Sequence, residues 1–144
     1  MNKQDLIERI QTTFNGVPQP NKLTLFVAQA HDTYDYANDD HHRSKDFIGS
    51  WQDIPSKHLA QCQNALNYID SVGMRFYLPA YMVWFLENYT NKTIETDFVL
   101  YAMDPQQSDV KLASYHKERF SLLTKSNCKL VQNLLNIACK IQPA

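Results

Sequence analysis

Glycine is scarce: only Gly16, Gly49 and Gly73 occur in 144 residues. That excludes a Gly-rich phosphate-cradling loop and a Gly-x-Ser-x-Gly nucleophile elbow. An excess of one charge is also lacking, since 14 lysines and arginines face 15 acids for a formal net charge of −1. No broad positive field exists to supply affinity for DNA or RNA, so no nucleic-acid partner is expected. Long apolar runs are absent. The most apolar stretch, Arg75 to Phe85, is 11 residues, about half of the roughly 20 that cross a bilayer, so no membrane partner is expected. Met1 to Phe14 contains no apolar core of a secretory signal, which predicts a cytoplasmic protein and makes the Asn-x-Thr sequons at Asn88 and Asn91 chance matches. Cysteine is limited to Cys62, Cys128 and Cys139. They show no metal-ligand clustering, and the last two, on one helix, would stand about 16 Å apart at 1.5 Å per residue, too far for a bridge. Buried, reduced thiols are expected.

What is present is the material of a packed core. The chain is 44% hydrophobic and 12% aromatic, and the spacing of its apolar residues predicts an all-α fold. The expected form is a single-domain helical bundle of about six helices over residues 1–144, with one extended connector. Asn2 precedes Leu6, Ile7, Ile10 and Phe14, a capped helix ending at Asn15-Gly16. Leu23, Phe26, Val27 and Ala30 restart the pattern and extend it to Tyr34 and Ala37, and a third helix is expected from His41 to Ser50 with Phe47 and Ile48 inward. After Pro55, one stripe of Leu59, Cys62, Leu66 and Ile69 predicts a fourth. Pro79 is expected in the first turn of a helix buried on most sides, with Arg75 pairing at the surface. Residues 93–101 read as the extended connector. Asp104-Pro105 then starts a helix burying Val110, Ala113, His116, Phe120 and Leu123, and Thr124 to Asn127 precedes an apolar face from Leu130 to Ile141.

Trp51-Gln52-Asp53-Ile54-Pro55, then Ala65-Leu66-Asn67-Tyr68-Ile69, then Arg75-Phe76-Tyr77-Leu78-Pro79-Ala80-Tyr81-Met82, stand in an order that resembles a bacterial family of small helical proteins known only as a domain of unknown function. The likeness is best from about residue 46 to residue 89, with a weaker echo in Phe120 to Thr124 and the last helix. Where the family pattern carries a glutamine near position 127 or 128, this chain has Asn127 and Cys128. The resemblance implies an α fold and a bacterial source, and it transfers no site.

One cluster invites chemistry. His31, Asp32, Asp35, Asp39, Asp40, His41, His42 and Asp46 crowd carboxylates and imidazoles into 16 positions, and metal sites use those ligand types. If the helix continued, His31 and Asp35 would share a face one turn apart. No metal-binding motif orders the others, and adjacent His41 and His42 point apart on a helix. A solvated polar turn is the plainer expectation, with no metal and no cofactor. Elsewhere, His58 and His116 read as core or edge histidines, and a Cys62–His58 nucleophile is disfavoured because burial raises a thiol's pKa. No catalytic residue is assigned. The expected role is a non-catalytic protein-binding module, of inhibitor or immunity type, that occludes a basic partner toxin. Its surface would be Asp32, Asp35, Asp39, Asp40, His41 and His42. A metal-dependent or unrecognised enzyme centred on the same segment, and a purely structural protein, are the alternatives.

Overall fold

The computed structural model of the chain describes residues 2–91, 93–103 and 116–141. The fold is all-α, with no strand among the described residues. Helix α1 spans Lys3–Thr13, α2 Leu25–Asp32, α3 Asp39–Arg43, α4 Ser56–Gln61, α5 Ser71–Asn88, α6 Asp97–Met103 and α7 Lys125–Ile141. Short 3-10 turns at Trp51–Asp53 and Ala65–Asn67 flank α4, and the backbone is helical again at 116–119. Among the described residues no helix is long and apolar enough to cross a membrane.

Helix α5 is the axis of the core. Its Phe76, Tyr77, Leu78, Ala80, Tyr81, Met82, Trp84, Phe85 and Leu86 are all buried, and α1, α4, α6 and α7 pack around it. Asp70 caps it, its carboxylate accepting from the Gly73 N–H at 2.9 Å. Pro79 lies inside this helix, not in its first turn. Proline has no N–H for the carbonyl of Arg75 and costs ~3 kcal/mol in a helix interior. Neighbours on every side hold the helix together across that break. Arg75, expected to pair at the surface, is half-buried, and its Nε has no hydrogen-bond partner.

The amphipathic helices form where the spacing predicts. Asn2 caps α1 through the Asp5 N–H at 2.8 Å, with Leu6, Ile7 and Ile10 inward. Thr124 and Asn127 cap α7 reciprocally, each side chain accepting from the other's backbone N–H at 3.0 Å. Leu130, Val131, Leu134 and Ala138 then face the core. Cys128 and Cys139 fall on the opposite, exposed side, so only Cys62 is a buried thiol.

Tertiary hydrogen bonds cut other helices short. Leu59, Cys62, Leu66 and Ile69 are all buried, but not on one helix. The Tyr81 hydroxyl donates between the carbonyls of Leu59 (3.1 Å) and Cys62 (2.6 Å), where α4 ends. Helix α3 is five residues, not the ten expected from His41 to Ser50. Beyond it, Gln19 ties the chain down by donating to the Phe47 carbonyl (2.8 Å) and accepting from the Gly49 N–H (3.0 Å). Phe47 is half-buried, and Ile48 faces solvent instead of the core.

Residues 97–103 are helical, which corrects the extended connector. Thr93, Ile94, Thr96 and Val99 suggest a strand, but Val99, Ala102 and Met103 recur at helical spacing and are buried, and packing overrides propensity. The helix start at Asp104-Pro105, with Val110, Ala113 and the side chain of Ile141, lies outside the described residues. His116 is buried as expected, and Phe120 and Leu123 are partly so. Buried Arg119 donates to the Leu66 carbonyl at the second 3-10 turn.

Candidate functional site

Helix α2 ends at Asp32, short of the expected Ala37. The Tyr34 N–H bonds the His31 carbonyl at 3.0 Å, and the Asp35 N–H reaches back to the Ala30 carbonyl at 3.1 Å. This double bond pattern is a Schellman stop, which places the residue after the C-cap in the left-handed region. Glycine normally stands there. Here it is Tyr34, at φ 65°, with 84% of its surface exposed. A bulky side chain in that region is strained.

The segment that follows is braced from below. Asp35 accepts from Asn38 Nδ2 at 3.0 Å, from the Ala37 N–H at 3.3 Å, and from His42 Nε2 at 2.7 Å. These bonds, that of His42 first, hold its carboxyl below the usual aspartate value. Because a carboxylate only accepts, His42 carries its proton on Nε2, and its Nδ1 faces the Lys45 ammonium at 3.5 Å. His31 Nε2 likewise bonds Asp39 at 3.1 Å, and the His31 ring lies against Tyr36, centroids 4.7 Å apart. Arg43 holds Asp40 at 2.6 Å and the Lys22 carbonyl through Nη2 and Nε.

The six residues singled out in the sequence therefore share one region but not one constellation. Asp35 pairs with His42, His31 pairs with Asp39 instead of Asp35, and His41 is exposed with its ring edge toward His42. Asp32 stands apart, accepting from Asn64 Nδ2 at 2.9 Å and from the Tyr68 phenol. That bond, with burial and the nearby phenols of Tyr34 and Tyr36, pushes the Tyr68 pKa up. Among the described residues no three His, Cys, Asp or Glu side chains converge on a metal geometry. What the region offers outward is aromatic: Tyr34, Tyr36 and the half-exposed Tyr68, set among carboxylates. The sequence reading missed these tyrosines because Tyr34 looks like one more apolar residue of a helical stripe.

Asp46 belongs elsewhere. Thr24 precedes α2 but makes no side-chain cap, and Asp46 takes its place, its Oδ1 accepting from the Phe26 N–H at 3.0 Å. Burial raises the Asp46 carboxyl against the lowering pull of Thr24, Phe26 and Arg43. Cys62 lies near enough to feel this charge, but burial comes first in pushing its thiol up to about 12. Such burial disfavours a thiolate at neutral pH, as the sequence leads one to expect for a Cys62–His58 pair. The His58 ring instead packs edge-on against Phe26 at 5.1 Å.

The model of a family of unknown function, DUF6714, matches residues 2–144. The chain belongs to this family. Comparison with curated proteins and with solved structures gave no match. Membership in DUF6714 carries no activity with it, so the chemistry of this chain must be argued from its own surface.

Proposed function

We propose that this DUF6714 chain is a non-catalytic protein-binding module whose docking surface is the end of α2, the following turn and α3. The observation that carries this reading is Tyr34, held in a strained left-handed conformation and displayed to solvent at a position where glycine would cost less. Strain at an exposed side chain is kept where the side chain is used. Tyrosine is among the residues that dominate interface energetics, because it brings large contact area with little rotamer freedom to lose. Asp32, Asp35, Asp39 and Asp40, with His41 and His42, lie on the same α2–α3 segment, and their summed field favours a basic partner and speeds its encounter. Occluding a basic cleft, as an inhibitor or immunity-type protein does, is the action this surface is chemically suited to.

The test compares two immobilised baits, the wild-type chain and a Tyr34→Ala/Tyr36→Ala variant, against extract from the source cell. A basic protein retained by the first and lost by the second supports the reading. Its purified form should bind the wild type directly and the variant at least tenfold more weakly, a difference of about 1.4 kcal/mol or more. Equal retention by both baits would refute the surface. The metal alternative has its own test in calorimetric titration with zinc, manganese and calcium, since a ligand set would lose uptake entirely in His31→Ala.

A further inference from the structure

A cavity of about 530 Å³ opens between α1, the first 3-10 turn, α4 and α5. Its volume lies within the roughly 300–1,000 Å³ of sites for small organic ligands. Two indoles in its lining are fixed by their N–H groups. Trp84 donates to Ser56 Oγ at 2.7 Å, which ties α5 to the start of α4, and Trp51 donates to the Phe14 carbonyl at 2.8 Å. The half-buried Ile54 and Val83 join them to give an apolar lining. The polar groups around it are open to solvent, and a ligand can reach them: Gln11, Ser56 and Glu87 are all exposed. Glu87 is the one charged residue of this lining, and among the described residues it has neither an ion pair nor a hydrogen bond. A carboxylate beside low-dielectric walls, with no cation near it in the lining, focuses a field that attracts positive charge.

We propose that this cavity binds a small organic monocation, its ammonium pairing with the Glu87 carboxylate and its apolar body lying against Ile54, Val83 and the edge of Trp84. An anion is disfavoured, because no lysine, arginine or histidine lines the cavity. A wholly apolar ligand would cover Gln11, Ser56 and Glu87 without replacing their bonds to water, at a cost. One carboxylate matches one positive charge, and a second charge on the ligand would meet only amides, a hydroxyl and hydrocarbon. The occupant is a free small molecule and not the lysine of a partner protein, since a single lysine stem is too thin to fill a cavity of this volume. None of its lining residues belongs to the α2–α3 surface, so the site stands or falls without that surface.

The chain has two tryptophans, Trp51 and Trp84, and both line the cavity, so the intrinsic fluorescence of the full chain reads its occupancy. Four probes are titrated at neutral pH and fixed ionic strength: 2-phenylethylammonium, 2-phenylethanol, phenylacetate and Nα-acetyl-lysine methylamide. A saturable change is expected with the first. Phenylethanol keeps the shape and loses the charge, and its half-saturation should lie about fivefold higher, the worth of an exposed ion pair. Phenylacetate should give no saturable change. Glu87→Gln should raise the half-saturation of phenylethylammonium about fivefold and leave that of phenylethanol unchanged. Its denaturation midpoint should equal that of the wild type, because Glu87 has no partner to lose. Glu87→Lys, at the same exposed position, should reverse the order and favour phenylacetate. No saturable response to phenylethylammonium up to roughly 50 mM, equal half-saturation for the amine and the alcohol, or unchanged amine binding in Glu87→Gln would overturn the site. Saturation by the lysine amide at lower concentration than by phenylethylammonium would overturn the small-molecule occupant and assign the cavity to a partner's side chain.

Discussion

Replacing Tyr34 by glycine should make the protein more stable while removing one of its largest exposed side chains. The left-handed conformation at φ 65° costs a residue with a Cβ about 1–2 kcal/mol. Glycine escapes that cost but gives up about 0.5–1 kcal/mol of unfolded-state entropy. Little burial is lost, because 84% of the side chain already faces water. The net expectation is a gain of about 0.5–1 kcal/mol, or ~2–4 °C in Tm at this chain length. Tyr34→Asn should move the same way, since asparagine tolerates the left-handed region without glycine's entropy. Urea denaturation followed by tryptophan fluorescence reads the change, with an unchanged m-value confirming that the native and unfolded states are otherwise the same. A lower midpoint in both variants would show that Tyr34 makes a stabilising contact, and the case for its retention as a binding residue would collapse.

Phe85→Ala or Leu86→Ala, each emptying a site at most 2% exposed in the core, should cost about 2–5 kcal/mol. An unmoved denaturation midpoint would contradict the place of α5 at the axis. Asp46→Ala should cost about 1 kcal/mol through the lost cap of α2, and Asp46→Asn much less. The sign follows from the raised carboxyl: its contribution is fully present below the unfolded pKa of about 3.8 and is lost as pH rises through the folded value. Asp46→Asn should therefore remove a decline in stability that sets in as pH rises above the unfolded value of 3.8, and an asparagine variant as unstable as the alanine at pH 7 would count against this. Thiol titration of the native chain should find Cys128 and Cys139 reactive, and Cys62 only after denaturation. Three thiols reacting at one rate would refute the burial of Cys62.

The elements legible in the sequence are those whose cause is local. Asn2 and the Thr124–Asn127 pair cap helices within three residues of themselves, and the stripes of α1 and α7 need no distant partner to be recognised. Where the sequence misleads, the cause lies far along the chain. Tyr81 ends α4 from 19 and 22 residues away, and Asp46 caps α2 from 20 away. Pro79 inside α5 follows the same logic, because the burial that offsets the broken bond comes from other helices. At the candidate site, the residue types and their crowding were readable, but the pairings of His31 with Asp39 and Asp35 with His42 were not. They depend on α2 stopping at Asp32, and a Schellman stop without glycine carries no sequence signal.

The most direct test of docking through the α2–α3 surface is the association rate of the partner retained by the wild-type bait, measured by stopped flow across a range of salt. Asp32, Asp35, Asp39 and Asp40 acting by their summed field predict a rate that falls steeply as salt rises, with each single Asp→Asn change modest. The fourfold Asp→Asn variant should bind slowly at low salt and converge on the wild type at high salt. A rate indifferent both to salt and to the fourfold change, in a variant that keeps the wild-type fold, would contradict the docking surface.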